Sequence, residues 1–140
     1  MMTILELITT LEQQQNKNLK VIGVVPSLNL KLDARVIGNG FNSTKALLGI
    51  MEKNPRSNSG CSNNKLLSQM KSFTDEEGEN DPPGEICWDK EVLLSFTENY
   101  VDGRSMNQCF PIESIELTND TFRLIAGEEI LSLRREYKAD

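Results

Sequence analysis

Leu19-Lys-Val-Ile-Gly-Val-Val-Pro-Ser27 is the stretch on which the fold turns, because no other run in the chain is β-branched and apolar at both alternating positions. A strand of that kind needs cover on both faces, and sheets covered on both faces are characteristically parallel with helices as the covering layers. Pro26 ends it, since proline brings no N–H to a ladder. The stretch therefore predicts an α/β domain. Its form would be a partial three-layer sandwich, with few and mostly parallel strands flanked by helices and residues 19–25 central and fully buried.

On the N-terminal side, Ile4, Leu5, Ile8 and Leu11 recur at helical spacing, so residues 3–15 read as an amphipathic helix. On the C-terminal side the pattern is lost from 28 to 42, where Gly38-Asn39-Gly40 is loop chemistry. Ser43 is a good N-cap for a helix burying Ala46, Leu47, Ile50 and Met51, which Asn54-Pro55 stops. Residues 54–84 read as a weakly ordered polar and acidic insert in a single domain spanning 1–140, with one short helical candidate on Leu66, Leu67, Met70 and Phe73. Residues 85–88 are a short strand candidate. Asp89 is placed to cap a helix on Val92, Leu93, Phe96 and Tyr100, ended by Asp102-Gly103 with the glycine left-handed. Residues 105–117 read as irregular around Phe110-Pro111. Thr118 or Asn119 then opens a closing helix on Phe122, Ala126, Ile130, Leu133 and Tyr137, with Arg134, Arg135 and Lys138 where cations complement its dipole.

The whole is 140 residues, the size of one ordinary domain, with 38% hydrophobic residues and a formal net charge of −6. That balance argues against strong binding of nucleic acid by a basic surface. Cys61, Cys87 and Cys109 form no C-x-x-C pair, and no histidine is present to complete a zinc site. The Met-Met-Thr-Ile start lacks a basic leader and no run is long enough to span a bilayer, so a cytoplasmic location without membrane contact is the expectation.

The absence of histidine removes the commonest general base and every triad built on it. The carboxylate pairs Glu76-Glu77, Glu113 with Glu116, and Glu128-Glu129 read as solvated charge. Gly38-Asn-Gly-Phe-Asn-Ser-Thr-Lys45 invites a test as a phosphate loop and fails it. Its order is Ser-Thr-Lys where Gly-Lys-Ser/Thr is required, and the strand has ended well before. No complete catalytic constellation emerges.

The order of elements resembles the C-terminal half of the ParA/MinD-type partition ATPases, the deviant-Walker branch of P-loop NTPases. The resemblance lies in Leu19-Lys-Val-Ile-Gly-Val-Val25, Ser27, Asp33-Ala-Arg35, Ile86-Cys-Trp88, Tyr100-Val-Asp-Gly103-Arg104 and the run 119–131, together rather more than half of the chain. The family's Walker A loop, switch aspartate and Walker B strand correspond to nothing here. What the resemblance implies is a fragment that does not hydrolyse ATP and acts by association with another protein chain, as a homo-oligomer or with a complementary NTPase half. It also implies that Ser27, Ile86 and Trp88 lie on the adenine side of a nucleotide that is bound only if a phosphate-loop half is supplied in trans. The alternative from the residues themselves is an independent small α/β interaction or regulatory protein.

Overall fold

A computed structural model of the chain describes residues 1–16, 18–39, 45–51, 62–71 and 90–138. Residues Lys20–Val25 form a strand, β1, as the sequence predicts. Its neighbours are of two kinds. On one edge it pairs antiparallel with β2 (Leu30–Asn39), reached through a tight 3-10 turn at Pro26–Leu28, and on the other it pairs parallel with β6 (Thr121–Ala126). Burial along β1 alternates: Val21, Gly23 and Val25 face the core, while Lys20, Ile22 and Val24 are half-buried on the opposite face. A single buried face is the signature of a strand in a curved sheet with a filled inside.

That sheet closes on itself. The order is β4-β3-β2-β1-β6-β5, with β3 (Lys45–Met51) and β4 (Glu91–Asn99) paired in parallel, and β5 (Arg104–Leu117) returning antiparallel to β4 to seal a six-stranded ring. Closure gives each of the six ring strands a partner on both edges. The interior is aliphatic and aromatic: Val21, Leu48, Leu94, Phe110, Phe122 and Leu124 are all at 0–1% exposure and belong to one cluster. Gly23 makes room inside it, since a Cβ there would overlap the side chain of Ile50 from β3. The Ile50 side chain fills the space that a side chain at Gly23 would take.

One end of the ring is plugged. Helix α1 (Ile4–Glu12) opens with a capping box, in which the Thr3 hydroxyl accepts from the Glu6 N–H at 3.2 Å and the Glu6 carboxylate accepts from the Thr3 N–H at 3.2 Å. Its buried residues Ile4, Leu7, Ile8 and Leu11 join the barrel cluster. The segment before it is stitched to the start of β4: the Ile4 N–H donates to the Lys90 carbonyl at 2.9 Å and the Val92 N–H to the Met2 carbonyl at 2.8 Å. Helix α2 (Asn63–Lys71) lies against α1, begins beside Lys20 through its bridge to Ser62, and buries Leu66, Leu67 and Met70 in the same cluster. This part of the predicted insert therefore packs into the core, while 54–61 and 72–84 lie outside the described residues.

The helix-flanked α/β sandwich is thus corrected to a mixed β-barrel with two short helices among the described residues. Three stretches read as helix are strands. The Ser43-capped segment is β3, the segment after Asp89 is β4, and the closing segment is β6, a 3-10 turn at Leu131–Leu133, and β7 (Arg135–Lys138). The irregular stretch around Phe110-Pro111 is the 14-residue β5, the longest strand among the described residues. The physical reason is common to all three. A four-residue repeat such as Phe122 with Ala126 is compatible with a helix face and also with two steps of a strand, and Leu124 at 0% exposure between them decides for the strand. In β4, Val92, Leu93 and Leu94 are all fully buried, which a one-faced helix stripe does not give. Gly103 is left-handed, with φ 86°, but it closes a β-hairpin and not a helix. The half-NTPase remnant anticipated from the resemblance is not the architecture this chain forms.

Candidate functional site

β5 is longer than the ring requires, and its surplus defines the site. On one edge it pairs with β4 from Leu93↔Pro111 to Asn99↔Ser105, and on the other with β6 from Ile112 to Leu117. β4 in turn pairs with β3 only through Ser95. Beyond that level, residues 96–99 of β4 and 104–108 of β5 leave the ring as a hairpin. Strand β7 completes it by pairing antiparallel with β5, Arg104↔Lys138 through Asn107↔Arg135. The chain reaches β7 by following the same edge of β5 upward from β6, with the Gly127 N–H donating to the Pro111 carbonyl at 2.9 Å and the Ile130 N–H to the Cys109 carbonyl at 2.8 Å. Pro111 sits in β5 beside the register shift between Ile112 and Ser114, where a strand tolerates proline.

The result is a three-stranded extension, β4-β5-β7, whose outer strands each have one edge without a strand partner among the described residues. Its inner face continues the barrel interior but changes character along the strands. Phe110 is buried, Gln108 is 6% exposed with its Oε1 unpartnered, Met106 is half-buried, and Arg104 is exposed. Opposite them Leu94, Phe96 and Glu98 follow the same gradient from buried to exposed.

Charge holds the tip in shape. The Asp102 carboxylate accepts from the Arg104 backbone N–H at 3.1 Å and from its Nε at 2.6 Å, and Arg104 Nη1 donates to Glu136 Oε1 on β7 at 2.7 Å. The Arg104 backbone N–H, with its guanidinium, holds the Asp102 carboxyl below the ordinary aspartate range, and the hydrogen bond to Asp102 raises the Arg104 guanidinium above its own. The guanidinium also lies 5.8 Å from the centre of the Tyr100 ring, and the Tyr100 hydroxyl donates to the Met106 sulfur at 3.9 Å. At the tip, Val101 is fully exposed.

The residues singled out from the sequence are not assembled by this fold into one place. Ser27 lies exposed in the Pro26–Leu28 turn, and Ile86 and Trp88 lie outside the described residues. Gly38-Asn39 ends β2 and Lys45 begins β3, so the tested phosphate loop links two antiparallel strands and leads into no helix. Glu116 is 4.0 Å from Arg123, Glu129 pairs with Arg134, and Glu113 and Glu128 are exposed. Cys109 is a buried free thiol, with Cys61 and Cys87 outside the described residues. Among the described residues no group of three or more His, Cys, Asp or Glu side chains could hold a metal, and no helix is long and apolar enough to cross a membrane. Sequence reasoning misses the extension because the β4 and β7 stretches read as the ends of helices and residues 105–117, which include most of its middle strand, read as irregular. The available signal was Tyr100-Val-Asp-Gly103, a turn sequence between two runs that also alternate.

Comparison with known proteins finds no matching family model, no matching curated protein and no matching solved structure.

Proposed function

We propose that this protein is a non-catalytic interaction module that takes up an extended stretch of another polypeptide along the free edge of β7. The observation carrying the reading is that, among the described residues, β7 pairs with β5 alone, on the part of the sheet that extends beyond the closed ring. A strand with one open edge offers a row of backbone donors and acceptors at fixed spacing, which is what strand addition uses for affinity. The barrel supplies rigidity and the extension supplies the docking edge. A cytoplasmic setting and the lack of a cofactor of its own belong to the same proposal.

The test is site-resolved amide hydrogen exchange on the full chain at high dilution. The β7 amides that point away from β5 should exchange as fast as loop amides, while those bonded to β5 are protected. Protection of every β7 amide in a dilute monomer would mean that the edge is already covered within the chain, and the reading would fall.

A further inference from the structure

The chain changes character between Ala126 and Gly127. Phe122, Leu124 and Ala126 of β6 are buried in the barrel cluster. From Gly127 to Arg134, and at Glu136, every side chain is half-buried or exposed, and neither Ile130 nor Leu133 is among the residues packed against that cluster. Among the described residues, what holds this segment is the edge of β5. The ladder of β7 on residues 104–107 fixes its far end, and the Gly127 and Ile130 N–H groups donate to the Pro111 and Cys109 carbonyls at 2.9 and 2.8 Å. One exposed ion pair, Arg104 with Glu136, ties β7 to the hairpin tip, and a second, Arg134 with Glu129, braces the 3-10 turn. Gly127 is the root: a Cβ there would lie 3.2 Å from Glu113 Oε2 and 3.3 Å from Pro111 Cγ, so the chain leaves the β6 ladder in close approach to β5.

Two features weaken the closed arrangement. From Ile130 to Arg135 the segment takes five steps to pass the two positions of β5 from Cys109 to Asn107, so the 3-10 turn loops out of the strand line with Leu131 66% exposed. Glu129 Oε1 is buried without a hydrogen-bond partner, a desolvation cost that ends when the carboxylate returns to water.

We infer that residues 127–138 form a strap that opens from β5 as one unit, hinged at Gly127, while the six-stranded ring stays closed. Segments with few buried apolar groups and exposed backbone bonds are the ones that open ahead of the global transition. Opening releases β7 from the sheet, so the docking edge exists only while the strap is closed, and its apparent affinity scales with the closed fraction. Salt screens both ion pairs and so shifts the strap slightly toward the open form. The opening follows from the strap's own bonds, and its consequence for recognition rests on the docking reading proposed above.

The experiment is residue-resolved native-state hydrogen exchange on the dilute full-length chain, as wild type, Ile130→Pro and Glu136→Gln. In the wild type, the amides of Gly127, Ile130 and those of β7 bonded to β5 should share one opening, exchanging roughly a hundredfold or more faster than the bonded amides of β6. Ile130 has φ −87°, close to the proline range, so Ile130→Pro chiefly deletes the bond to the Cys109 carbonyl. It should raise exchange about tenfold at Gly127 and throughout β7 while leaving β6 unchanged. Glu136→Gln, a mild change at an exposed position, should raise exchange about two- to fivefold over the same residues, Gly127 included. Strap amides as protected as those of β6, or effects confined to the neighbours of each substitution, would overturn the strap. Slow outward amides of β7 together with a common strap opening would remove the docking edge and leave the strap. Fast outward amides beside bonded ones protected to the level of the ring would do the reverse.

Discussion

Strands β4 and β5 pass through both the ring and the extension, and the two halves of the same strands do different work. In the ring, Leu94 and Phe110 face each other at 0–1% exposure with strands on either side. A few residues further on, Phe96, Met106 and Tyr100 are only half-buried and the outer edges have no strand partner among the described residues. Stability is concentrated where every edge is paired and the inside is filled. The proposed recognition lies where the strands outrun their neighbours. The proposed docking edge thus costs the core nothing, because the residues that keep the barrel folded are not those that present β7.

The difference can be broken most severely from the ring side. Phe122→Ala removes a fully buried aromatic beside Val21 and should cost about 3–5 kcal/mol, a large share of the roughly 5–15 kcal/mol that holds an ordinary domain folded, whereas Met106→Ala in the extension should cost about 1 kcal/mol. Denaturant melts of the two variants check this, and equal losses would mean that ring and extension form one core. Next in size is Gly23→Ala, where the added methyl meets Ile50 inside the barrel. Overpacking should cost about 1–3 kcal/mol, and the double variant with Ile50→Ala should lose less than the sum of the two single losses.

The smallest expected effect lies at the tip and sharpens the contrast by pH. The Asp102 carboxyl is held below its ordinary range in the folded hairpin by the Arg104 N–H and guanidinium. A carboxyl whose folded value is depressed contributes stability above its unfolded value and loses it as pH falls through the folded one. Acidification should therefore loosen residues 100–104 before it touches β1, followed by chemical shifts across a pH series, and Asp102→Asn should remove that early step. The group is fully exposed, so the change is local and its effect on global stability slight.

How much of this was legible in the sequence varies by element for identifiable reasons. Helix α1 was, because Ile4, Ile8 and Leu11 recur at helical spacing, and the Thr3/Glu6 capping box adds a start signal. Strand β1 was, because Val21, Ile22, Val24 and Val25 favour extended backbone, but its apolar composition on both sides read as two-sided burial in a parallel sheet. In the barrel the same composition gives a buried inner face and a half-covered outer one. β6 was misread because Phe122 and Ala126 satisfy both periods, and β5 because Pro111 argues against a strand unless a bulge lies beside it, which only the register shows. The proposed docking edge was not legible at all. It exists because β5 outruns β6 and takes up β7, a pairing between residues 104–107 and 135–138 that local sequence does not encode.

The measurement that bears most directly on the account is a cross-strand NOE map of residues 104–138. The structure requires contacts of Phe122 with Val21 and of Leu124 with Gly23 on one side of β6, contacts of the same strand with β5 on the other, and for β7 contacts with residues 104–107. Sequential amide contacts and helical shifts running from 119 to 137 would instead restore the closing helix read from the sequence. In that case neither the ring nor its open-edged strand would exist.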